Sequence, residues 1–450
     1  MEKPTIGLLG LTLELYKNKL PTLISQLEGF SGELKDILSE CAYIVHYPLA
    51  WNRATVSQAF ASFAKAKTDG IILVLLSYSQ SLAILPSIKK SKIPLLIWNT
   101  QKLKTIDENF APKDSSANHG MHGVQDLASV LLREKIKFSL ITGHCMDKKI
   151  LSEVGDWCMA SRVVTQLKKA RIGRIGSLFP DMGDFAINPE VLKSAIGTET
   201  LEITDKETSL FEKFPDASAQ EIKRYFDFRM DWSQEISHKT RTDSLKTFFF
   251  LKHLSEKQNI SGWAINFEGL NNDMPMPFLG ISRLMSEGMG YGGEGDVYSA
   301  TVVLLAQMLS DNQATFAEMF TTDYKNSRIY MTHMGESNLG IRRKNEPVRM
   351  VLNKMVLGNG LPTAVPVFSI MPGEYTLINL TACGKKELKL IISLVKVLDR
   401  KPFKKMVTPH FLLSVCNKSV EEFLTLYSMQ AGTHHLAVAS GDIRRKVKFF

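Results

Sequence analysis

Along the first 150 residues, short apolar runs alternate with longer stretches whose apolar positions recur at helical spacing. The strand-like runs are 5–11 (TIGLLGL), 42–46 (AYIVH), 70–76 (GIILVLL), 94–98 (PLLIW) and 137–142 (KFSLIT). Helix-length segments lie between them, around 14–39, 53–66, 79–89 and 120–134. A strand buried on both faces reads as an unbroken apolar run, and two parallel strands need a long crossover between them. The rhythm therefore predicts a parallel sheet covered by helices on both faces. The polar stretch 100–119 interrupts it; a loop of that length in such a fold reaches toward a site or a neighbouring subunit.

A second α/β unit follows a linking helix over 150–170. Its strands are RIGRIGSLF (171–179), LEIT (201–204) and GWAINF (262–267), and helices are expected from near Pro277 and from Asp296 to about Leu309. After about residue 325 the pattern changes to short apolar runs separated by turn signals: RIYMTHM, RMVLNKM, AVPVFSI, YTLINLT, LKLIISLV and HFLLSV. Gly358-Asn359-Gly360 is the strongest of these turn signals. Successive strands with turns predict an antiparallel sheet or barrel, interrupted by one helix at about 418–430. The expected division is an N-terminal α/β domain over 1–160, a central α/β domain over 161–315 and a β-rich domain over 316–450.

Composition narrows the class. The chain has 450 residues, 44% of them hydrophobic, without an apolar tract long enough to span a bilayer. Glu14 breaks the first apolar run, which reads as a strand rather than a secretory leader. The five cysteines are odd in number and form no CxxC pair, which argues against a disulfide framework or structural zinc site and for a cytoplasmic protein. The net charge of +9 invites a nucleic-acid reading. However, the basic residues are scattered, as in 89–92, 342–343 and 385–386, and no nucleic-acid motif accompanies them. Neither nucleic acid nor membrane is an expected partner.

Three segments could carry chemistry. In Gly290-Tyr291-Gly292-Gly293-Glu294-Gly295-Asp296, glycines around a carboxylate let the chain turn tightly and bring Glu294 to the end of a strand or the start of a helix. Asp296 is placed to cap the helix that follows. The second segment joins Asp323 to Tyr330-Met331-Thr332-His333-Met334-Gly335-Glu336. The third is Gly432-Thr433-His434-His435, where two rings in one strand would point to opposite faces. Each residue alone has a structural reading: a cap, a satisfied polar group, a Gly-rich turn. Together, two carboxylates and two histidines suit a divalent cation of the Mn²⁺ type, whereas Zn²⁺ prefers tighter sites, often with sulfur.

GYGGEGD, YMTHMGE and AGTHH, in that order, resemble the L-arabinose isomerase and L-fucose isomerase superfamily. Similarity extends to Asn118-His119-Gly120-Met121-His122-Gly123, to GHCMDK (143–148) and to the stretch from Phe267-Glu268 through Arg283-Leu284-Met285 to Glu294. The resemblance implies two Rossmann-like α/β domains with parallel sheets followed by a C-terminal antiparallel β-barrel. It implies a homotrimer or homohexamer with active sites shared between subunits, and a metal-dependent aldose–ketose isomerase acting on a free sugar through a cis-enediol. The cofactor implied is Mn²⁺, or another divalent cation such as Co²⁺ or Mg²⁺.

By position, the resemblance makes Glu294 both metal ligand and acid/base, and His333 and His435 metal ligands. His119 and His122 would touch the sugar of an adjacent subunit, and Leu15, Tyr16, Met182 and Phe267 would line its pocket. Arabinose isomerases place a glutamate immediately before an Asp-Tyr pair; here that position is Thr322. Asp323 is then expected to replace it as ligand and second acid/base. The first-loop glutamine of arabinose isomerases is also absent from 11–16, and both departures point away from L-arabinose as substrate. The competing readings are a metal-dependent epimerase or isomerase of an unusual or acidic sugar, and a non-catalytic sugar-binding protein.

Overall fold

The computed structural model describes residues 2–270, 274–353, 360–384 and 387–450. Gly358, Asn359 and the Lys385-Lys386 pair singled out above lie outside the described residues. The chain divides into two compact units, one of residues 1–165 with 445–450, the other of residues 166–444.

In the first unit, β1 (Thr5–Leu11), β2 (Tyr43–Ala50), β3 (Gly70–Leu75), β4 (Leu95–Asn99) and β5 (Ser139–Thr142) form a parallel sheet in the order β2-β1-β3-β4-β5. Side chains alternate across a strand, so each central strand feeds two cores. Ile72, Val74, Leu96 and Trp98 join one cluster with Leu27, Phe30 and Leu34 of the helix Pro21–Leu38 and Trp157 of the helix Lys148–Leu167. Ile71, Leu73, Leu75 and Ile97 join the other, with Phe60 and Phe63 of the helix Arg53–Lys65 and Leu127 of the helix Gly120–Arg133. The apolar runs are continuous because both faces are dry. The long polar stretch carries a short helix of its own, Pro112–Ala117.

The second unit holds β6 (Arg171–Ile175), β7 (Glu199–Ile203), β8 (Met230–Trp232), β9 (Gly262–Ile265), β10 (Gly290–Gly293), β11 (Ala314–Asp323), β12 (Arg328–Thr332), β13 (Val348–Leu352), β14 (Ala364–Val367), β15 (Gly373–Cys383), β16 (Glu387–Val397), β17 (His410–Val415) and β18 (His435–Ser440). A parallel four-stranded sheet runs β10-β9-β6-β7. A closed antiparallel barrel runs β11-β12-β17-β16-β15-β18, and β14-β13-β8 form a third, small sheet. The fold is thus parallel-sheet α/β followed by an antiparallel β-barrel. The helix Val297–Leu309, buried along almost its whole length, follows β10 and leads to β11. It is apolar all round, as a helix surrounded by protein must be.

Two of the elements not legible in the apolar pattern bear on the site. β10 is a strand made almost wholly of glycine. β11 begins before the change of rhythm at residue 325. Both carry site residues.

Candidate active site and metal centre

β10 ends on Gly293, and the next residue turns out of the strand. Glu294 has φ +57°, a left-handed conformation that a residue with a Cβ adopts at a cost of roughly 1–2 kcal/mol. Gly295 continues the turn at φ +79°. Asp296 then caps the helix Val297–Leu309, one carboxylate oxygen accepting from the backbone N–H groups of Tyr298 and Ser299 at 2.9 Å each. The glycine before the turn answers to space: a Cβ on Gly293 would lie 2.6 Å from Cε1 of His333.

The barrel supplies the rest. In register, Glu318 of β11 stands opposite Thr332 of β12 on one side and His435 of β18 on the other. His333 follows β12 directly. Glu318 therefore lies between the two histidines, its Oε1 3.5 Å from His435 Nε2 and 3.9 Å from His333 Nε2. His435 Nε2 is also 3.6 Å from Glu294 Oε2. His434 reaches the same place, its Nε2 3.6 Å from both Glu294 Oε2 and Glu318 Oε1. The expectation that only one ring of the His434-His435 pair could face the pocket is corrected: β18 starts at His435, so His434 precedes the strand and strand alternation does not govern it.

Asp323 is likewise corrected. It lies five residues beyond Glu318, about 16 Å along an extended strand, and pairs with Arg328 at the turn of the β11–β12 hairpin. Its carboxylate accepts from the backbone N–H and the side-chain amide of Asn326, capping the turn Tyr324–Asn326. Those bonds hold its pKa below the usual range. A register shift between Met319 and Thr321 separates the two parts of β11. The second carboxylate in the cluster, beside Glu294, is Glu318, a residue that the sequence reading passed over. Its signal was a charged residue inside the apolar run Thr315-Phe316-Ala317-Glu318-Met319-Phe320.

Each imidazole is held from behind. His333 Nδ1 meets Glu336 Oε1 at 2.6 Å, His435 Nδ1 meets Asp296 Oδ2 at 3.1 Å, and His434 Nδ1 meets Asp184 Oδ2 at 2.7 Å. Asp184 also accepts the backbone N–H of His434 at 2.9 Å. Rings complete the packing. Phe316 stands edge-on to His333 and His435 at 4.8 and 4.9 Å, and Phe185 stacks on His435 at 5.0 Å. His435, Asp296, Glu336 and His333 are buried.

Burial opposes charge on His333, but Glu336, Glu318 and Glu294 outweigh it and raise its pKa to about 9. The same opposition, with Asp184 as hydrogen-bond partner and the Glu294 and Glu318 carboxylates nearby, raises His434 to about 10. Burial would raise Asp184, but His434 holds it down at about 2. Among the described residues, Glu294 Oε2 and His435 Nε2 are buried without a hydrogen-bond partner. Orphaned buried donors and acceptors are rare, and here they face one another. Glu294, His434 and His435 form one group whose ligand atoms lie within 4.8 Å of one another, and Glu318, His333 and His435 form a second. Donors on a common cation at about 2.1–2.3 Å are roughly 3–4.5 Å apart. The residues thus fit a divalent cation with mixed oxygen and nitrogen ligation, which would take the place of the imidazole protons.

The remaining predicted residues fall in two places. Phe267 is buried against Phe179, ring centroids 5.2 Å apart, and the Phe179 N–H donates to the Glu294 carbonyl. Met182 sits two residues before Asp184, on the loop that holds His434. Leu15, Tyr16, His119 and His122 belong to the first unit. There the His119 ring lies 6.3 Å from Tyr16 and 5.5 Å from His122, with Nδ1 3.2 Å from Ser77 Oγ, while Leu15 is exposed.

Comparison with known proteins agrees with this architecture. The family model of the L-arabinose isomerase central domain matches residues 198–312, and that of the L-arabinose isomerase C-terminal domain matches 313–450. The L-arabinose isomerase of Halalkalibacterium halodurans is 24% identical over 311 residues, 63% of this chain and 62% of that protein. That of Thermotoga maritima is 22% identical over 416 residues, 88% of this chain and 81% of that protein. L-arabinose isomerase 1 of Clostridium acetobutylicum is 24% identical over 372 residues, 74% of each. The match spans just under two thirds of the first of these relatives and about four fifths of the second. Among solved structures, a galactofuranose-binding protein is 11% identical over 58% of this chain and 75% of that one at a TM-score of 0.15, which carries no argument. With two L-arabinose isomerase domains matched in succession over more than half of its length, the chain belongs to the superfamily of sugar isomerases that includes the L-arabinose and L-fucose isomerases.

Proposed function

We propose that this protein is a divalent-metal-dependent aldose–ketose isomerase, acting on a free pentose, hexose or deoxyhexose through a cis-enediol. The observation that carries the reading is the convergence of Glu294, Glu318, His333 and His435, two of them with buried ligand atoms lacking any hydrogen-bond partner among the described residues. The C2 proton of a sugar is very weakly acidic. A bound cation of the Mn²⁺, Co²⁺ or Mg²⁺ type supplies the polarisation of the carbonyl and the stabilisation of the enediolate.

The chain's own groups move the protons. In the proposed reaction one of the two carboxylates, Glu294 or Glu318, takes the proton from C2 and returns it to C1. The other serves the hydroxyl proton that passes between O2 and O1, so the two steps balance. His333 and His435 hold the cation, with Nε2 turned inward because Glu336 and Asp296 bind Nδ1. With Glu318 in the cluster, Thr322 no longer argues against L-arabinose as the sugar. Tyr16, His119 and His122 are proposed to complete the sugar pocket of a neighbouring copy, in a trimer or a hexamer.

The test is turnover of a panel of free aldoses by the metal-stripped protein, with and without added Mn²⁺, reading ketose. Ketose formed only with metal is the expected result and names the sugar. Failure to bind Mn²⁺ together with absence of product from any sugar would overturn the reading in favour of a non-catalytic sugar-binding protein. A change of configuration without ketose would favour an epimerase.

A further inference from the structure

The first unit carries a pair of thiols that the proposed reaction does not use. Cys41 lies in the turn between the helix Pro21–Leu38 and β2, and Cys158 lies on the helix Lys148–Leu167. Both belong to residues 1–165, and both are free thiols. Cys158 is fully buried in the core cluster with Val154 and Trp157, and Cys41, partly exposed, packs against that cluster. The two thiols are hydrogen-bond partners. Gly155 lies on the same helix face as Cys158, one turn before it. A Cβ placed on Gly155 would lie 3.9 Å from the Cβ of Cys41, so Cys41 sits directly over that face. A disulfide requires two side chains to meet, with Cβ atoms about 3.5–4.5 Å apart. The spacing of 41 and 158 gives no CxxC signature, so only the fold reveals the pair.

We infer that Cys41 and Cys158 form a reversible redox couple, closing to a disulfide when the protein meets hydrogen peroxide. Their surroundings assign the roles. Cys41 is the member that solvent reaches, and its Sγ donates to the Leu38 carbonyl at 3.3 Å. The bond with Cys158 holds the Cys41 thiol below its usual range against the opposing effect of burial, and the charge of Lys3, bonded to the Ser39 carbonyl at 3.1 Å, helps. The bond with Cys41 and complete burial push the Cys158 thiol well up. Cys41 is therefore the attacking thiol and Cys158 the resolving one. The Cys41 thiolate attacks one peroxide oxygen, the O–O bond breaks, and hydroxide leaves with the proton that Cys41 gave up, as water. Cys41 is then a sulfenic acid. The Cys158 sulfur attacks the Cys41 sulfur, the S–O bond breaks, and the hydroxyl leaves with the Cys158 proton as a second water. Two thiols lose two electrons, and the peroxide gains them.

A soft cation is the other ligand that paired thiols could take, but among the described residues neither cysteine belongs to a group of three metal-binding side chains. Cys145, in the same cluster, turns its thiol to the Gln101 carbonyl at 3.7 Å instead. The disulfide would tie the helix Lys148–Leu167 to the start of β2 and close a long loop, which restricts the unfolded chain strongly.

The test treats the full-length protein with hydrogen peroxide, blocks the remaining thiols by alkylation and maps the unreduced peptides by mass spectrometry. A Cys41–Cys158 cross-link is expected, reversed by dithiothreitol, with the thermal midpoint raised by several degrees while it is closed. Cys158→Ala should leave Cys41 as a sulfenic acid that dimedone traps, and Cys41→Ala should leave Cys158 a free thiol. The natural protein decides the matter even if a variant fails to fold. Cys158 recovered there as a free thiol, after treatment that oxidises the exposed Cys383, would overturn the inference. So would Cys41 cross-linked to a second copy instead of to Cys158. The readout involves neither metal nor sugar, so either result leaves the isomerase reading where it stands.

Discussion

Asp296 divides its carboxylate between two tasks: Oδ1 caps the helix Val297–Leu309, and Oδ2 lies 3.1 Å from Nδ1 of His435. A local helix signal and a long-range contact 139 residues away thus share one side chain. The Gly-rich turn therefore positions Glu294 and, through Asp296, a histidine of the barrel.

The two tasks separate by substitution. Asp296→Asn keeps a capping oxygen and should leave the thermal midpoint of the metal-free protein nearly unchanged. Asp296→Ala loses the cap and should cost about 1 kcal/mol. Both should weaken Mn²⁺ binding by roughly 10- to 100-fold. Titration with Mn²⁺ checks this, and binding by Asp296→Asn equal to that of the natural protein would show that the carboxylate does not orient His435.

Glu318 and Asp323 make opposite predictions. Glu318→Gln should lower kcat by about 10²–10⁴, the span of a lost general acid or base, and should weaken metal binding. Asp323→Asn should change neither, since the Asp323 carboxylate hydrogen-bonds only to Asn326 among the described residues. Loss of activity in Asp323→Asn alone would restore the assignment drawn from the sequence.

Metal affinity should depend on pH with a definite sign. His333 holds a proton up to about pH 9 and His434 up to about pH 10 in the metal-free protein. A cation must displace those protons, so Mn²⁺ affinity should rise from pH 6 to pH 9, with protons released on binding. Calorimetry in buffers of different ionisation enthalpy counts them; no release at pH 7 would contradict the proposed ligands.

The same shifts set the stability of the metal-free protein. Both histidines have raised pKa values, so their stabilising contribution is complete below the ordinary value near 6.5. It fades as pH rises through about 9 and 10. Asp184 is depressed to about 2, so its contribution is complete above its ordinary value and fades as pH falls toward 2. The thermal midpoint without metal should therefore fall between pH 7 and 10, and added Mn²⁺ should offset the fall. An unchanged midpoint over that range would count against the charged histidines.

Gly293→Ala tests the packing of the turn. The added methyl would lie 2.6 Å from His333 Cε1 with Phe316 Cζ at 3.4 Å, so the ring must move. A cost of about 1–3 kcal/mol is expected from overpacking, together with weaker Mn²⁺ binding. Natural Mn²⁺ affinity in Gly293→Ala would mean that His333 tolerates the shift.

The sequence by itself determined the α/β rhythm, the change to antiparallel strands, and the local chemistry of the Gly-rich turn. Apolar periodicity reports which side of an element is dry, and it is written in neighbouring residues. The cap at Asp296 and a tight turn at Glu294, at a strand end or a helix start, follow from glycine and carboxylate at adjacent positions. Only the tertiary structure decided which carboxylate meets the histidines. That choice depends on the register of β11 against β12 and β18, which places Glu318 opposite His435 and leaves Asp323 at the hairpin turn. It depends also on the start of β18 at His435, which lets His434 turn the same way as its neighbour. Register and strand ends are set by partners far along the chain, and a one-residue shift changes the face that every side chain presents.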